Sequence, residues 1–209
     1  LRTNVDLLTQ ASSSDGPDLP PEARAELLED VRAQIEELTT LIGDLVELAR
    51  EDSGEVELEP VAVSEAVERA LERVRRRRHD VRFDVDLAPW YSFGDNAGIE
   101  RAVLNICDNA AKWSPTGGTV TVRMNPVSES VVELTVADQG PGIPEEDRQL
   151  VFERFHRSRE ARAMPGSGLG LAIVRQVVTR HGGTVEIHDA DGGGTEVRMT
   201  IPGCELPPN

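Results

Sequence analysis

LNICDNAAKWS, residues 104–114, decides how the rest of this chain is understood. Asn105, Asn109 and Lys112, with Trp113 beside it, recur at steps of four and three to four, so on a helix they share one face. Leu104, Ile106, Cys107, Ala110 and Ala111 between them are small or apolar and suit the buried side. Two carboxamides one turn apart, with a lysine one turn further on, can hold a metal ion and neutralise phosphate oxygens. A helix that merely hydrogen-bonds its neighbours through Asn fits the same letters. The choice turns on what lies downstream. Lys112 is also the only lysine in the chain, where Arg is used everywhere else.

Two glycine-rich stretches follow. The first, DQGPGI at 138–143, comes directly after an apolar strand pattern. It places the Asp138 carboxylate at a sheet edge, able to accept a hydrogen bond from an amino group. Gly140 and Gly142 let the backbone turn tightly and let a flat ring approach. The second, GSGLGL at 166–171, opens an amphipathic helix, where free backbone amides and the helix dipole favour phosphate oxygens. It is neither a dinucleotide fingerprint nor a Walker loop, because no strand precedes it and no Gly-Lys-Ser/Thr follows. Between the two, residues 144–165 are too polar to bury, yet they hold VFERFHR at 151–157. A loop of this length inside a compact domain serves as a lid or is disordered. Its flanking glycines favour a lid over a nucleotide.

The 209 residues allow one large domain, or one domain with a helical appendage. Hydrophobic content is 38% and charged content 29%, ordinary for a soluble globular chain. No apolar run reaches membrane-spanning length. There is no signal-like leader, so Leu1 is expected to be an internal start. The net charge of −16 argues against a nucleic-acid partner. The basic run Arg75–Arg78 reads as a solvated helix end that complements the dipole. Cys107 and Cys204 suggest neither a disulfide framework nor a zinc site, which fits a reducing, cytoplasmic setting.

Taken in order, residues 1–11 resemble the end of a helix, and 12–21 (SSSDGPDLPP) break it. Residues 22–50 carry Leu28, Val31, Ile35, Leu38, Ile42, Leu45 and Ala49 at alternating steps of three and four. A stripe that broad belongs in a helical bundle. An antiparallel hairpin would bury it by dimerising into a four-helix bundle, or by packing on the rest of the chain. Residues 51–55 read as a hinge. Beyond them we expect a strand at 56–61, a helix capped by Ser64, strands at 81–87 and 91–93, and then the organising helix. A hairpin at 119–124 and 131–137, a helix at 168–181 and a closing hairpin at 184–187 and 195–201 complete the pattern. The expected fold class is α+β: a helical hairpin followed by an α/β sandwich, one mixed sheet with helices on one face.

Four signals in this order are more specific than any one. The chain resembles the sensor histidine kinases of two-component systems, in the GHKL ATP-binding superfamily that includes gyrase and MutL. Asn105, Asn109 and Lys112 match the Asn box. Asp138, Gly140 and Gly142 match the first glycine box, Phe152 and Phe155 the phenylalanine box, and Gly166, Gly168 and Gly170 the second glycine box. Gly193-Gly194-Thr195 matches the last glycine box. The Arg-over-Lys usage has an actinobacterial character. The resemblance implies ATP and Mg²⁺ as cofactors. Asn109 would be a metal ligand, with Asn105 its neighbour at the metal or the phosphates. Lys112 would meet phosphate oxygens, Trp113 the nucleotide region, and Asp138 the adenine amino group. Gly142 would support the ring, with Gly140, Ile143, Phe155 and Thr195 around the nucleotide. Gly166, Gly168, Leu169 and Gly170 would hold the phosphates. Arg157 would reach the γ-phosphate from the lid, and is expected to gain a partner only when that phosphate is present. Asn105, Lys112 and Arg157 would be the catalytic set.

One departure stands out. The family's phosphoacceptor box is of the His-Glu-Leu-Arg-Thr-Pro type, but Leu1-Arg2-Thr3 is followed by Asn4 rather than Pro. The better register puts the box just before Leu1, so this chain is expected to be a fragment lacking its acceptor. The implied domains are a partial dimerisation hairpin at 1–50, a hinge at 51–55 and a catalytic ATP-binding domain at 56–209 with its lid at 144–165. The implied partners are a second copy of the chain and a response regulator. Membrane attachment would come only through parts outside this chain, making it the cytoplasmic part of a plasma-membrane protein. A GHKL ATPase is the rival enzyme reading, but that class uses a Glu at the position of Asn105, and a carboxamide cannot take a proton from water. A dimeric interaction module with a vestigial nucleotide site is the non-enzyme alternative.

Overall fold

The structure is a computed structural model and describes residues 20–50, 59–158, 164 and 166–206. The expected first helix and the hinge at 51–55 lie outside the described residues. A 30-residue helix, α1 (Pro21–Arg50), comes first. Strand β1 (Glu59–Ala62) leads into α2 (Val63–Arg77), followed by β2 (Arg82–Leu87) and β3 (Tyr91–Gly94). The organising stretch forms the end of α3 (Asn96–Trp113), as its periodicity requires. Strands β4 (Thr119–Ser128) and β5 (Val131–Ala137) follow, then two 3₁₀ turns, Glu145–Asp147 and Leu150–Phe152. Helix α4 (Gly170–Arg180) and strands β6 (Val185–Asp189) and β7 (Thr195–Pro202) close the chain.

The main sheet has five strands in the order β2-β4-β5-β7-β6, with β2 parallel to β4 and the other neighbours antiparallel. Parallel neighbours require a crossover, and α3 supplies it between β2 and β4. The single sheet expected from the strand pattern is two: β1 and β3 pair with each other in a separate two-stranded sheet. Alternation shows that a strand exists, but not which neighbour it takes. Ser64 also does not cap α2. The N-cap is Ala62, with no side-chain bond, and the first turn is held by burial of Val63, Ala66 and Val67.

Helices α2, α3 and α4 bury their apolar faces against the alternating inward residues Val120, Val122 and Met124 of β4 and Val132, Leu134 and Val136 of β5. Each fully buried Ile or Leu here contributes roughly 1.5–3 kcal/mol. In α3, Ile99, Ala102, Val103, Ile106, Cys107, Ala110 and Ala111 face the core. Leu104 packs on its margin. Burial, reinforced by Asp108, pushes the Cys107 thiol up to about 12, so it is inert filler rather than a nucleophile.

The ends of α3 and α4 are joined through one imidazole. His181, just past α4, pairs through Nδ1 with the Val177 carbonyl at 2.7 Å and accepts the Asp95 amide on Nε2 at 2.9 Å. That is the bonding of a neutral ring. Gly94 lets the ring approach, since a Cβ there would lie 2.2 Å from it.

Candidate functional site

The sheet register gathers four loops at one edge. Thr121 of β4 and Glu196 of β7 both stand opposite Ala137, the last residue of β5. The turn after α3, the stretch that Asp138 begins, the triple-glycine turn before Thr195 and the approach to α4 therefore meet. Beside them lies a cavity of about 1090 Å³, lined by α3, the stretch from Asp138 to Pro144, the lid, the approach to α4 and Thr195, and ample for a nucleotide. Residues of α1, Arg32 and Thr39 among them, contribute to its wall.

Helix α3 forms the floor. Asn105, Asp108, Asn109 and Lys112 point into the cavity, opposite the buried face, and Trp113 ends the row. The Lys112 ammonium lies 5.6 Å from the Trp113 ring centroid. It stands so close to Gly166 that a Cβ there would come within 3.2 Å of Nζ. Gly166 has φ 145°, a conformation side chains rarely adopt.

Asp138 is 6% exposed. Its Oδ1 accepts the amides of Gly140 at 2.8 Å and Thr195 at 3.0 Å, and its own amide donates to the Thr195 carbonyl at 2.9 Å. Burial raises its pKa above the usual carboxylate value, while the Thr195 and Gly140 hydrogen bonds pull it back down. The contact needs Gly194, where φ is 108° and a Cβ would fall 2.1 Å from the Asp138 carbonyl oxygen. A carboxylate held in this way at a cavity wall is a fixed acceptor.

Helix α4 presents its N-terminus to the cavity. Gly166, Ser167, Gly168 and Gly170 line it, and the N-cap Leu169 offers no side-chain cap. The first-turn amides and the dipole therefore face the open space, an arrangement suited to anions. The lid closes the other side through Val151, His156, Arg157 and Ser158. Phe152 is buried at its base, with the Arg175 guanidinium 5.8 Å from the ring centroid.

Most residues expected at the site line this cavity: Asn105, Asn109, Lys112, Trp113, Asp138, Gly142, Ile143, Arg157, Gly166, Gly168, Gly170 and Thr195. Three do not. Gly140 sits behind Asp138, where a Cβ would meet the Trp113 carbonyl at 2.8 Å. The Leu169 side chain is buried in the core, because the helix turns its apolar face inward there. Phe155 points outward and is 64% exposed. Arg157 also differs from expectation: it already donates to the Met164 carbonyl, tying the lid across its own turn. Sequence reasoning missed Arg76, Arg77 and Arg78, which reach the cavity wall instead of only solvating a helix end. It placed His156 on the lid near the expected γ-phosphate but gave it no role. No local pattern marks the arginines.

Residues 94–204 match the family described as histidine kinase-, DNA gyrase B-, and HSP90-like ATPase. The chain is 57% identical over 212 residues to the signal transduction histidine-protein kinase/phosphatase MprB of Mycolicibacterium paratuberculosis. That alignment covers 100% of this chain and 41% of the relative, so the chain spans well under half of its length. The solved structure of a mycobacterial sensor histidine kinase MprB is 52% identical and superposes with a TM-score of 0.67, covering 72% of this chain and 100% of that one. The ATP binding domain of PrrB from Mycobacterium tuberculosis is 31% identical with a TM-score of 0.57, covering 71% of this chain and 98% of that one. The boxes read from the sequence, the cavity they enclose and these likenesses agree: the chain belongs to the sensor histidine kinases of the GHKL superfamily and contains their ATPase-type catalytic domain.

Proposed function

We propose that this chain binds ATP with Mg²⁺ in the cavity, and that within the full-length protein it passes the γ-phosphoryl to a histidine and thence to a response-regulator aspartate. One observation carries the reading: the convergence of Asn109, Lys112, Asp138 and the uncapped N-terminus of α4 on a single cavity. Asp138 would accept the adenine amino group, and Gly142 and Ile143 would flank the ring. Lys112, Arg157 and the amides of Gly166, Gly168 and Gly170 would hold the phosphates. Phosphoryl transfer is chiefly positioning and charge neutralisation, so cations and amides suffice without a built-in base.

The donor set suits magnesium. Among the described residues no group of three His, Cys, Asp or Glu could hold a metal alone. Mg²⁺ is usually held by one or two protein oxygens together with nucleotide phosphates. Asn109, with Asn105 beside it, would supply those oxygens, and the ion would neutralise charge on the bound phosphates. Asn105 stands where a superfamily ATPase needs its general base, which disfavours simple ATP hydrolysis.

Residues 1–50 would form a dimerisation hairpin, 51–55 a hinge and 56–209 the catalytic domain with its lid at 144–165. Leu28, Ile35, Leu38 and Ile42 on α1 are 47–62% exposed, an apolar stripe that a second copy would cover. No helix among the described residues is long and apolar enough to cross a membrane. Attachment would fall to other parts of a plasma-membrane sensor, leaving this part in the cytoplasm. Calorimetry with Mg-ATP tests the central claim: micromolar-range binding that EDTA weakens supports it, and no heat with any nucleotide refutes it.

A further inference from the structure

His156 lines the cavity from the lid, and the roles proposed above leave it without a task. Its Nε2 is buried and has no hydrogen-bond partner. Three other buried side-chain atoms among the described residues share that condition: Asn105 Nδ2, Gln34 Oε1 and Trp90 Nε1. Of these, only Asn105 lies on the wall of the same cavity. Buried polar groups are nearly always paired, so an orphan on a cleft wall points to a ligand.

The backbone fixes where this ring goes. Phe155 adopts φ 64°, the only left-handed non-glycine among the described residues. Such a conformation persists only where the surroundings enforce it. Here the Phe155 amide donates to the Gly168 carbonyl at 3.0 Å and the His156 amide to the Glu153 carbonyl at 3.2 Å. Gly168 presses against the same peptides, and a Cβ there would meet the His156 carbonyl oxygen at 2.8 Å. The turn sends the Phe155 ring outward and brings His156 onto the cavity wall.

The cavity wall carries the donors Lys112, Arg157 and the first-turn amides of α4, alongside the carboxylates of Asp108, Asp138 and Asp147. An imidazole N–H set among donors is matched by a ligand rich in acceptor oxygens. We propose that His156 Nε2–H donates to a non-bridging oxygen of the nucleotide's phosphate chain, giving the lid a second donor beside the Arg157 guanidinium. This rests on the nucleotide reading above. Nε2 exposes next to no surface here, so the His156 ring turns toward the cavity as the phosphates enter.

The test is nuclear magnetic resonance of the histidine-¹⁵N-labelled chain, with His156 assigned from its missing signal in His156→Gln. Titration with Mg-ATP should move the His156 Nε2 resonance, and saturating adenosine should not. In calorimetry His156→Ala should bind Mg-ATP about tenfold more weakly with adenosine affinity unchanged. His156→Gln, whose amide nitrogen reaches the same region, should recover most of the loss. An unmoved resonance while heat reports Mg-ATP binding overturns the proposal, as does an equal shift with adenosine, or an Ala variant that binds Mg-ATP normally. No binding of any nucleotide by the unmodified chain refutes the underlying reading, and the inference falls with it.

Discussion

Asp138→Asn separates what the carboxylate does for the fold from what it does for a ligand. The variant keeps a carbonyl oxygen to accept the Gly140 and Thr195 amides, which now bond to Oδ1 at 2.8 and 3.0 Å. It turns the other oxygen into an NH₂. If the carboxylate receives the adenine amino group, donor would then face donor, with an uncompensated polar contact in a 6% exposed position. Losing a hydrogen bond to a charged, buried acceptor costs about 1.5–3 kcal/mol, so ATP should bind about 10- to 150-fold more weakly. GTP presents an acceptor at the equivalent ring position and should lose nothing. Stability should move the other way. Burial raises the folded-state pKa of Asp138, so the ionised form is disfavoured by folding. The contribution of Asp138 to stability therefore falls as pH rises through the window just above the ordinary carboxylate value of 3.8, and the penalty persists at pH 7. The Asn variant carries no such penalty. At pH 7 its melting temperature should equal or exceed wild type, with the difference shrinking as pH falls toward that window. Calorimetry with ATP and GTP, and thermal melts followed by circular dichroism from pH 4 to 7, read both effects. Equal losses for ATP and GTP would make Asp138 structural only, and a sharply lower melting temperature at pH 7 would refute the burial argument.

Asn109→Ala should abolish Mg²⁺-dependent ATP binding while leaving the circular dichroism spectrum intact, because it removes a hard oxygen from the cavity floor. Unchanged Mg-ATP affinity by calorimetry would exclude Asn109 from the site. Gly194→Ala should destabilise by at least about 1–3 kcal/mol, since its Cβ would sit 2.1 Å from the Asp138 carbonyl oxygen at φ 108°; a melting temperature within a degree of wild type would contradict this. Incubated with labelled ATP, the 209-residue chain should acquire no acid-labile phosphate. His181 has both ring nitrogens engaged, His188 pairs with Glu186 at 3.1 Å, His79 lies exposed beyond α2, and His156 belongs to the lid. Label should appear on an added segment of the full-length protein that bears the acceptor histidine. Stable label on His156 would make the lid itself the substrate.

Periodicity alone determined much of this protein. The 3.6-residue repeat of α3 separates a core face from a polar face, and that one fact places Asn105, Asn109, Lys112 and Trp113 together, since neighbours on a helix face are set locally. Strand alternation, glycines before a helix and the Asp after a strand are likewise local signals, and α+β with a phosphate-favouring helix start follows from them. Other features depended on contacts between segments distant in sequence. Which strands pair is decided by side-chain packing, so the separate β1–β3 sheet was invisible to alternation. Leu169 stands among phosphate-holding glycines, yet its side chain enters the core because α4 turns that face inward. Phe155 points out and His156 in because one left-handed residue braced by Gly168 reverses the lid. Arg76 to Arg78 read as a solvated helix end until the fold brought α2 to the cavity wall. The sequence supplies residue chemistry and local periodicity. Where the chain turns back on itself, only the balance of burial and hydrogen bonding across the whole fold chooses which side chain faces the cavity.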